Sequence, residues 1–210
     1  MNISGKIIGF FTIALANILS VAAQSDSSIV YPNFHFNEGI YLSFEEFKAN
    51  QPSISNFELQ YKGGETYLLI PCPDSIQDKK NCYVENAWGY CKDRSVYMHQ
   101  GYRNNYYRLQ VIGALIHFYV IEMNYYDPVM DHSYNGISST PVRKVTNREM
   151  VMEWETGRSF EFVYKNFRIY LSEKDVELYQ QLELAKQKRK MIYFYMLKYN
   201  ERHPVYIRNK

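Results

Sequence analysis

The sequence predicts an α+β fold: an antiparallel β-meander sheet with a short N-terminal helix and a long C-terminal helix packed on it. Three observations predict it. Short apolar and aromatic runs bounded by turn residues fill the chain from Phe57 to Tyr164. From about Glu173 the pattern changes, with Leu178, Leu182, Ala185, Ile192, Met196 and Tyr199 at three- and four-residue spacings. The composition also supplies a core, since 46% of the 210 residues are hydrophobic and Tyr and Phe number 21 and 12. A chain so composed buries enough apolar surface to fold, which excludes wholesale disorder. Ten Gly and seven Pro exclude collagen-like and low-complexity classes, and a net charge of +2 gives no reason to expect a nucleic-acid partner.

Ser43-Phe44-Glu45-Glu46 has the form of a capping box, in which the Ser hydroxyl accepts from an N–H three residues on and Glu46 reaches back. It predicts a helix over about 44–50, stopped by Asn50-Gln51-Pro52. Phe57 to Tyr61 and Thr66 to Ile70 read as strands, joined by Lys62-Gly63-Gly64-Glu65 as a tight hairpin. Trp88 to Lys92 and Val96 to His99 flank an Asp93-Arg94 turn, followed by strands over Tyr106–Ile112 and Leu115–Tyr126. Leu115 to Ile121 does not alternate, which predicts a strand covered on both faces or aromatic on the outer one. A polar loop is expected from Asp127 to Asn147, then a hairpin of Met150–Trp154 and Ser159–Tyr164 turning at Thr156-Gly157. One long helix from Glu173 to about Pro204 completes the pattern, with Met191 to Leu197 apolar all round and expected deep against the sheet.

Residues 1–23 read as a signal peptide. Lys6 forms the charged head, Ile7 to Val21 the apolar stretch, and Val21-Ala22-Ala23 the small-residue site, with cleavage between Ala23 and Gln24. The competing reading is an uncleaved anchor, but the stretch is shorter than the roughly 20 residues of a spanning helix. Residues 24–210 then form one α+β domain with no spanning segment, exported to the periplasm or the medium. Export permits disulfides. Cys72 and Cys82 flank a closable loop, and Cys91 sits in a strand; the expected pairing is Cys72–Cys82, the alternative three buried thiols.

Three stretches, Gly39 to Phe47, Trp88 to Asp93 with Val96-Tyr97, and Tyr193 to Pro204, resemble segments of small exported proteins of unknown function common in Bacteroidota-type bacteria. The resemblance spans roughly 37–207. It implies export and a single domain, and it supplies no active-site residues.

Motifs that would carry catalysis are missing. The sequence contains no HExxH, nucleophile elbow, phosphate loop or CxxC pair, so no metal or cofactor is expected. His35, His99, His117, His132 and His203 are expected on strand surfaces or loops. Glu45, Glu46, Glu153 and Glu155 offer paired carboxylates only as any chain of this size does, the last two on a solvated strand face. Asp127, Asp131 and His132 in the long loop are the residues on which the alternative function rests, an envelope hydrolase or metal-dependent enzyme acting on glycan or peptide. Clustered tyrosines (Tyr102, Tyr106, Tyr107, Tyr119, Tyr125, Tyr126) suit either glycan or protein recognition or a half-buried core.

Charge is the most informative feature. Residues 186–210 hold eight Lys or Arg against the single acid Glu201, a formal +7, so 24–185 carries −6. Lys186, Lys188, Arg189 and Lys190 are the candidate partner-binding residues, for an anionic envelope component or an acidic protein. The competing reading is that they neutralise the acidic body on which the helix packs. The expected function is thus an exported, non-enzymatic envelope interaction module.

Overall fold

The computed structural model describes residues 27–72, 81–101, 103–126 and 142–208. Its strands are β1 (Ser27–Ile29), β2 (Gly39–Tyr41), β3 (Glu58–Lys62), β4 (Glu65–Pro71), β5 (Asn81–Tyr83), β6 (Gly89–Lys92), β7 (Ser95–His99), β8 (Tyr106–Val111), β9 (Leu115–Tyr126), β10 (Val142–Glu153), β11 (Ser159–Glu161) and β12 (Tyr206–Arg208). The helices are α1 (Phe44–Lys48), α2 (Tyr164–Lys174), α3 (Val176–Leu184) and α4 (Ile192–Arg202). The fold is α+β, and its paired strands run antiparallel. Seven strands form one sheet in the order β11-β10-β9-β8-β7-β6-β2, so β6 to β11 are a meander closed at one edge by β2. A three-stranded sheet, β3-β4-β5, and a two-stranded ribbon, β1-β12, accompany it.

Local chemistry explains several joints. Gly63 and Gly64 both take positive φ (63° and 82°) between Lys62 and Glu65, the backbone that a two-residue hairpin needs. At α1 the Ser43 hydroxyl accepts from the Glu46 N–H at 3.1 Å, and the Glu46 carboxylate accepts from the Leu42 N–H at 2.7 Å. The Glu46 N–H of the first turn and the Leu42 N–H just before the helix are thereby satisfied. Phe47 then sits fully buried, stacked on Trp88 (4.5 Å) and Phe36 (4.6 Å).

The long sheet divides the interior. One face carries Cys91, Met98, Leu109, Ile116, Phe118, Met150 and Met152, closed over by Phe47 of α1 and by Val30 and Ile207 beside the β1–β12 ribbon. The opposite face is covered in two places. Leu115 and Val151 lie under Phe167, Leu171, Leu178, Leu182 and Met196 of the three later helices. Tyr90, Tyr97 and Tyr106 lie against Leu68, Leu59 and Ile70 of the small sheet. Leu115, Ile116, His117 and Phe118 are consequently all buried, the signature of a strand covered on both sides.

The structure corrects the sequence expectations at three places. The helical region near the C-terminus is three helices rather than one. Helix α2 begins at Tyr164, nine residues before the expected start, and the chain breaks at Asp175, whose carboxylate accepts from the Leu178 N–H (2.9 Å) to start α3. A second break follows Ala185, so Lys186 to Lys190 form a turn, not the middle of a helix. Three short helices let Leu171, Leu178, Leu182 and Met196 all reach zero exposure. Second, the loop expected to Asn147 is shorter, because Val142 to Asn147 already pair with Ile121 to Tyr126. Third, Met191 to Leu197 is not deep all round, since Tyr193 and Phe194 are 42% and 45% exposed.

Cys72 and Cys82 are joined by a disulfide with Cα atoms 5.0 Å apart, at the end of β4 and in β5. Cys91 is a buried free thiol beside the Phe36 carbonyl, and burial pushes its pKa up to about 11.

One residue seats the last helix on the sheet. Asn200 of α4, 1% exposed, accepts from the Leu115 N–H (2.7 Å) and donates to the Leu115 carbonyl (2.9 Å). Gly113 permits that approach, since a Cβ there would meet the Asn200 side chain at 2.7 Å. Asn200→Ala strands two buried backbone groups and is expected to cost about 2–4 kcal/mol. Gly113→Ala is expected to destabilise the wild type and to cost much less in the Asn200→Ala background. Urea denaturation of the four-member cycle checks this, and additive costs would contradict it.

Candidate functional site

The basic run Lys186–Lys190 sits where α3 ends and α4 begins, and its geometry sorts its members. Lys188 turns inward. Its Nζ lies 2.9 Å from Glu183 and over the Tyr164 ring at 5.7 Å. Glu183 also receives the Tyr164 hydroxyl and the Arg168 Nε (3.0 Å). The Tyr164 hydroxyl first, then Lys188 and Arg168, hold its carboxyl down at about 2. Two backbone bonds from the Met191 N–H, to the Gln187 and Lys188 carbonyls, close the turn. Lys188, one of the candidate partner-binding residues, is therefore paired with Glu183 while its side chain stays 40% exposed.

Lys186, Arg189 and Lys190 are not tied in this way. All three are exposed, and no carboxylate among the described residues lies within ion-pair distance of them. Beside them Leu184, the last residue of α3, is 85% exposed, the most exposed large hydrophobic residue of the described chain. An apolar tip flanked by three spare cations is what the turn presents to solvent.

Arg189 also reaches an open groove of about 390 Å³ between the start of α2 and the start of α4. Phe162, Val163, Tyr164, Lys165, Arg189 and Ile192 line it. The floor is apolar, both charged residues are cations, and no carboxylate contributes to the wall. No acidic residue stands in the first turn of α2.

Phe162 has a second neighbour, on the sheet side. His117 of β9 was expected at a surface and is instead 1% exposed. Its ring meets Tyr119, Phe162 and Tyr193 edge-on at 5.1, 5.6 and 5.4 Å. The Nε2–H donates to Glu149 Oε1 at 2.7 Å, and the buried Nδ1 has no partner among the described residues. That arrangement suits the neutral imidazole. Burial holds the His117 pKa below its ordinary value, against the opposing pull of Glu149.

The other sequence candidates are spread out. Glu153 was expected on a solvated face but is tied to Lys174 (2.8 Å) and Thr156 (2.6 Å); burial pushes its carboxyl up, and the bonds from Lys174, Thr156 and Tyr170 together hold it below its ordinary value. Glu155 is exposed, and Glu45 pairs with Lys48. Arg202 and His203 bind Asp175, which they and the Leu178 N–H hold below the usual carboxylate range against the opposing effect of burial. Tyr106, half-buried, meets Tyr90 edge-on, and Tyr107 is half-buried; of the clustered tyrosines whose side chains are described, Tyr119 alone is exposed. Asp127, Asp131, His132 and Tyr102 lie outside the described residues, as do Ala23 and Gln24; so do the side chains of Tyr125 and Tyr126. Among the described residues no group of three metal-ligating side chains converges, and no helix is long and apolar enough to cross a membrane. No family model matches this chain, and neither a curated protein nor a solved structure is detectably similar to it.

The sequence missed His117 because an imidazole inside an apolar run has no partner visible in one dimension. The continuity of Leu115 to Ile121 was the one available signal. Its burial has a measurable effect. A group with a lowered folded pKa stays neutral while the unfolded chain takes a proton, so stability is complete above the ordinary imidazole value of about 6.5 and is lost as pH falls through it. Thermal unfolding of the wild type is expected to weaken between about pH 7 and 5, and His117→Gln to flatten that segment. The lowered carboxylates of Asp175, Glu153 and Glu183 titrate below it. An unchanged slope in the variant would contradict the assignment.

Proposed function

We propose that this protein is an exported, non-enzymatic envelope module that docks peripherally on an anionic lipid surface through the α3–α4 turn. The export signal at 1–23 and the resemblance to small exported proteins are part of this proposal. The observation that carries it is the exposed Leu184 standing among Lys186, Arg189 and Lys190, with the neighbouring Lys188 already committed to Glu183.

The magnitudes favour a lipid surface over a purely ionic partner. Each cation near an anionic bilayer contributes about 1 kcal/mol, and burying a leucine side chain adds about 1.5–3 kcal/mol. Neither suffices alone, and stable attachment generally needs two such signals together. Here they are adjacent, and their combined few kcal/mol describe reversible, salt-sensitive docking. A glycan or a purely ionic partner would use the cations but would leave Leu184 in water.

Sedimentation with vesicles of phosphatidylglycerol and phosphatidylcholine tests the proposal. The chain is expected to pellet with the anionic vesicles at low salt, to be released at high salt, and to ignore pure phosphatidylcholine. Lys186→Ala with Lys190→Ala is expected to weaken pelleting by about 30-fold at low salt, and Leu184→Asp by at least as much. Pelleting indifferent to all three changes would reject the reading.

A further inference from the structure

The groove beside the turn is more specific than a docking surface requires. Its floor, Phe162, is 2% exposed and wedged edge-on between His117 (5.6 Å) and Phe167 (5.2 Å), so the floor is fixed by packing on both sides. Val163 and Ile192 extend the apolar wall. Lys165 and Arg189 supply two positive charges with no carboxylate in the lining and none in ion-pair contact with either among the described residues. A volume of about 390 Å³ holds roughly a dozen methylene- or water-sized groups at about 30 Å³ each. That is too small for a whole phospholipid and adequate for a headgroup phosphate with the first part of one acyl chain. Arg189 belongs both to the groove and to the turn, so the groove opens beside the surface that would meet the bilayer.

We infer that this groove is a site for a single anionic phospholipid, its phosphate between Lys165 and Arg189 and the start of an acyl chain along Phe162, Val163 and Ile192. The inference rests on the docking reading for the source of the ligand, while the chemistry of the groove stands on its own lining. A phosphate alone would satisfy the cations but leave the apolar wall empty. A neutral acyl chain would do the reverse. Selectivity for the combination is therefore the signature of the site.

The test is calorimetric titration of the full-length secreted chain with dihexanoyl phosphatidylglycerol below its micelle concentration, with dihexanoyl phosphatidylcholine and inorganic phosphate as comparisons. Saturable one-to-one binding is expected, with both comparison ligands at least tenfold weaker. Lys165→Glu, at an exposed position without an ion pair, is expected to weaken the anionic lipid by tenfold or more with thermal unfolding unchanged. Leu184→Asp is expected to leave this titration intact while abolishing vesicle pelleting. Equal binding of the two lipids, equal binding of inorganic phosphate, or indifference to Lys165→Glu would each overturn the site while leaving the docking reading standing. A wild-type chain that titrates as expected but does not pellet with anionic vesicles in a salt-sensitive way would overturn docking and leave the site.

Discussion

The arrangement of the helical face depends on one amide. Leu115 opens β9, and both its backbone groups are taken by Asn200 rather than by a strand. The register between β8 and β9 shifts between Leu109 and Val111, and Val111 pairs with His117, so the ladder on that side has ended before Leu115. A buried N–H and C=O without partners would each cost as much as a lost hydrogen bond. A side-chain amide is the one neutral group that both donates and accepts in the required geometry. Asn200 therefore closes the sheet and positions α4 in the same act. With α4 seated, Met196 and Tyr199 complete the apolar layer, and Ile192 and the preceding turn come to lie beside the start of α2.

The uneven charge of the chain resolves in the same region. The acidic body and the basic C-terminal segment meet at specific pairs: Lys188 with Glu183, and Arg202 with Asp175 and Glu177. These pairs are partly exposed, so their worth in stability is small. Their structural consequence is larger. Each pairs one surface cation with a carboxylate and fixes the chain around it, which leaves Lys186, Arg189 and Lys190 as the cations of the turn without a carboxylate partner among the described residues. Within the basic segment, Lys188 and Arg202 are paired with carboxylates, whereas Lys186, Arg189 and Lys190 are exposed.

His117 and Phe162 connect the sheet to the groove. A neutral imidazole held by Glu149 fills a site ringed by Tyr119, Tyr193 and Phe162, and Phe162 turns its other side to the groove. The histidine is thus a core residue with one hydrogen bond. Its energetic importance lies in staying uncharged, since a second N–H would have no acceptor there. The shape of the groove floor depends on that packing.

Much of the local structure was legible in the sequence, because its causes are local. Gly63-Gly64 states a hairpin, Ser43 and Glu46 state a helix start, and the unbroken run from Leu115 states a strand buried on both faces over Leu115–Phe118, beyond which Tyr119 and Ile121 are exposed. The basic cluster at 186–190 was equally plain as composition. What the sequence left unsettled depends on partners far along the chain. The break at Asp175 is held by Arg202 and His203, the latter 28 residues away, so a helical periodicity that runs through it reads as one helix. Asn200 looks like an ordinary polar residue until Leu115, 85 residues earlier, is placed against it. By itself the sequence determined the α+β class, the turns, and the concentration of positive charge near the C-terminus. Only the tertiary structure decided which of those charges are spent inside and which face outward, because that choice is made by contacts between segments that no local pattern encodes.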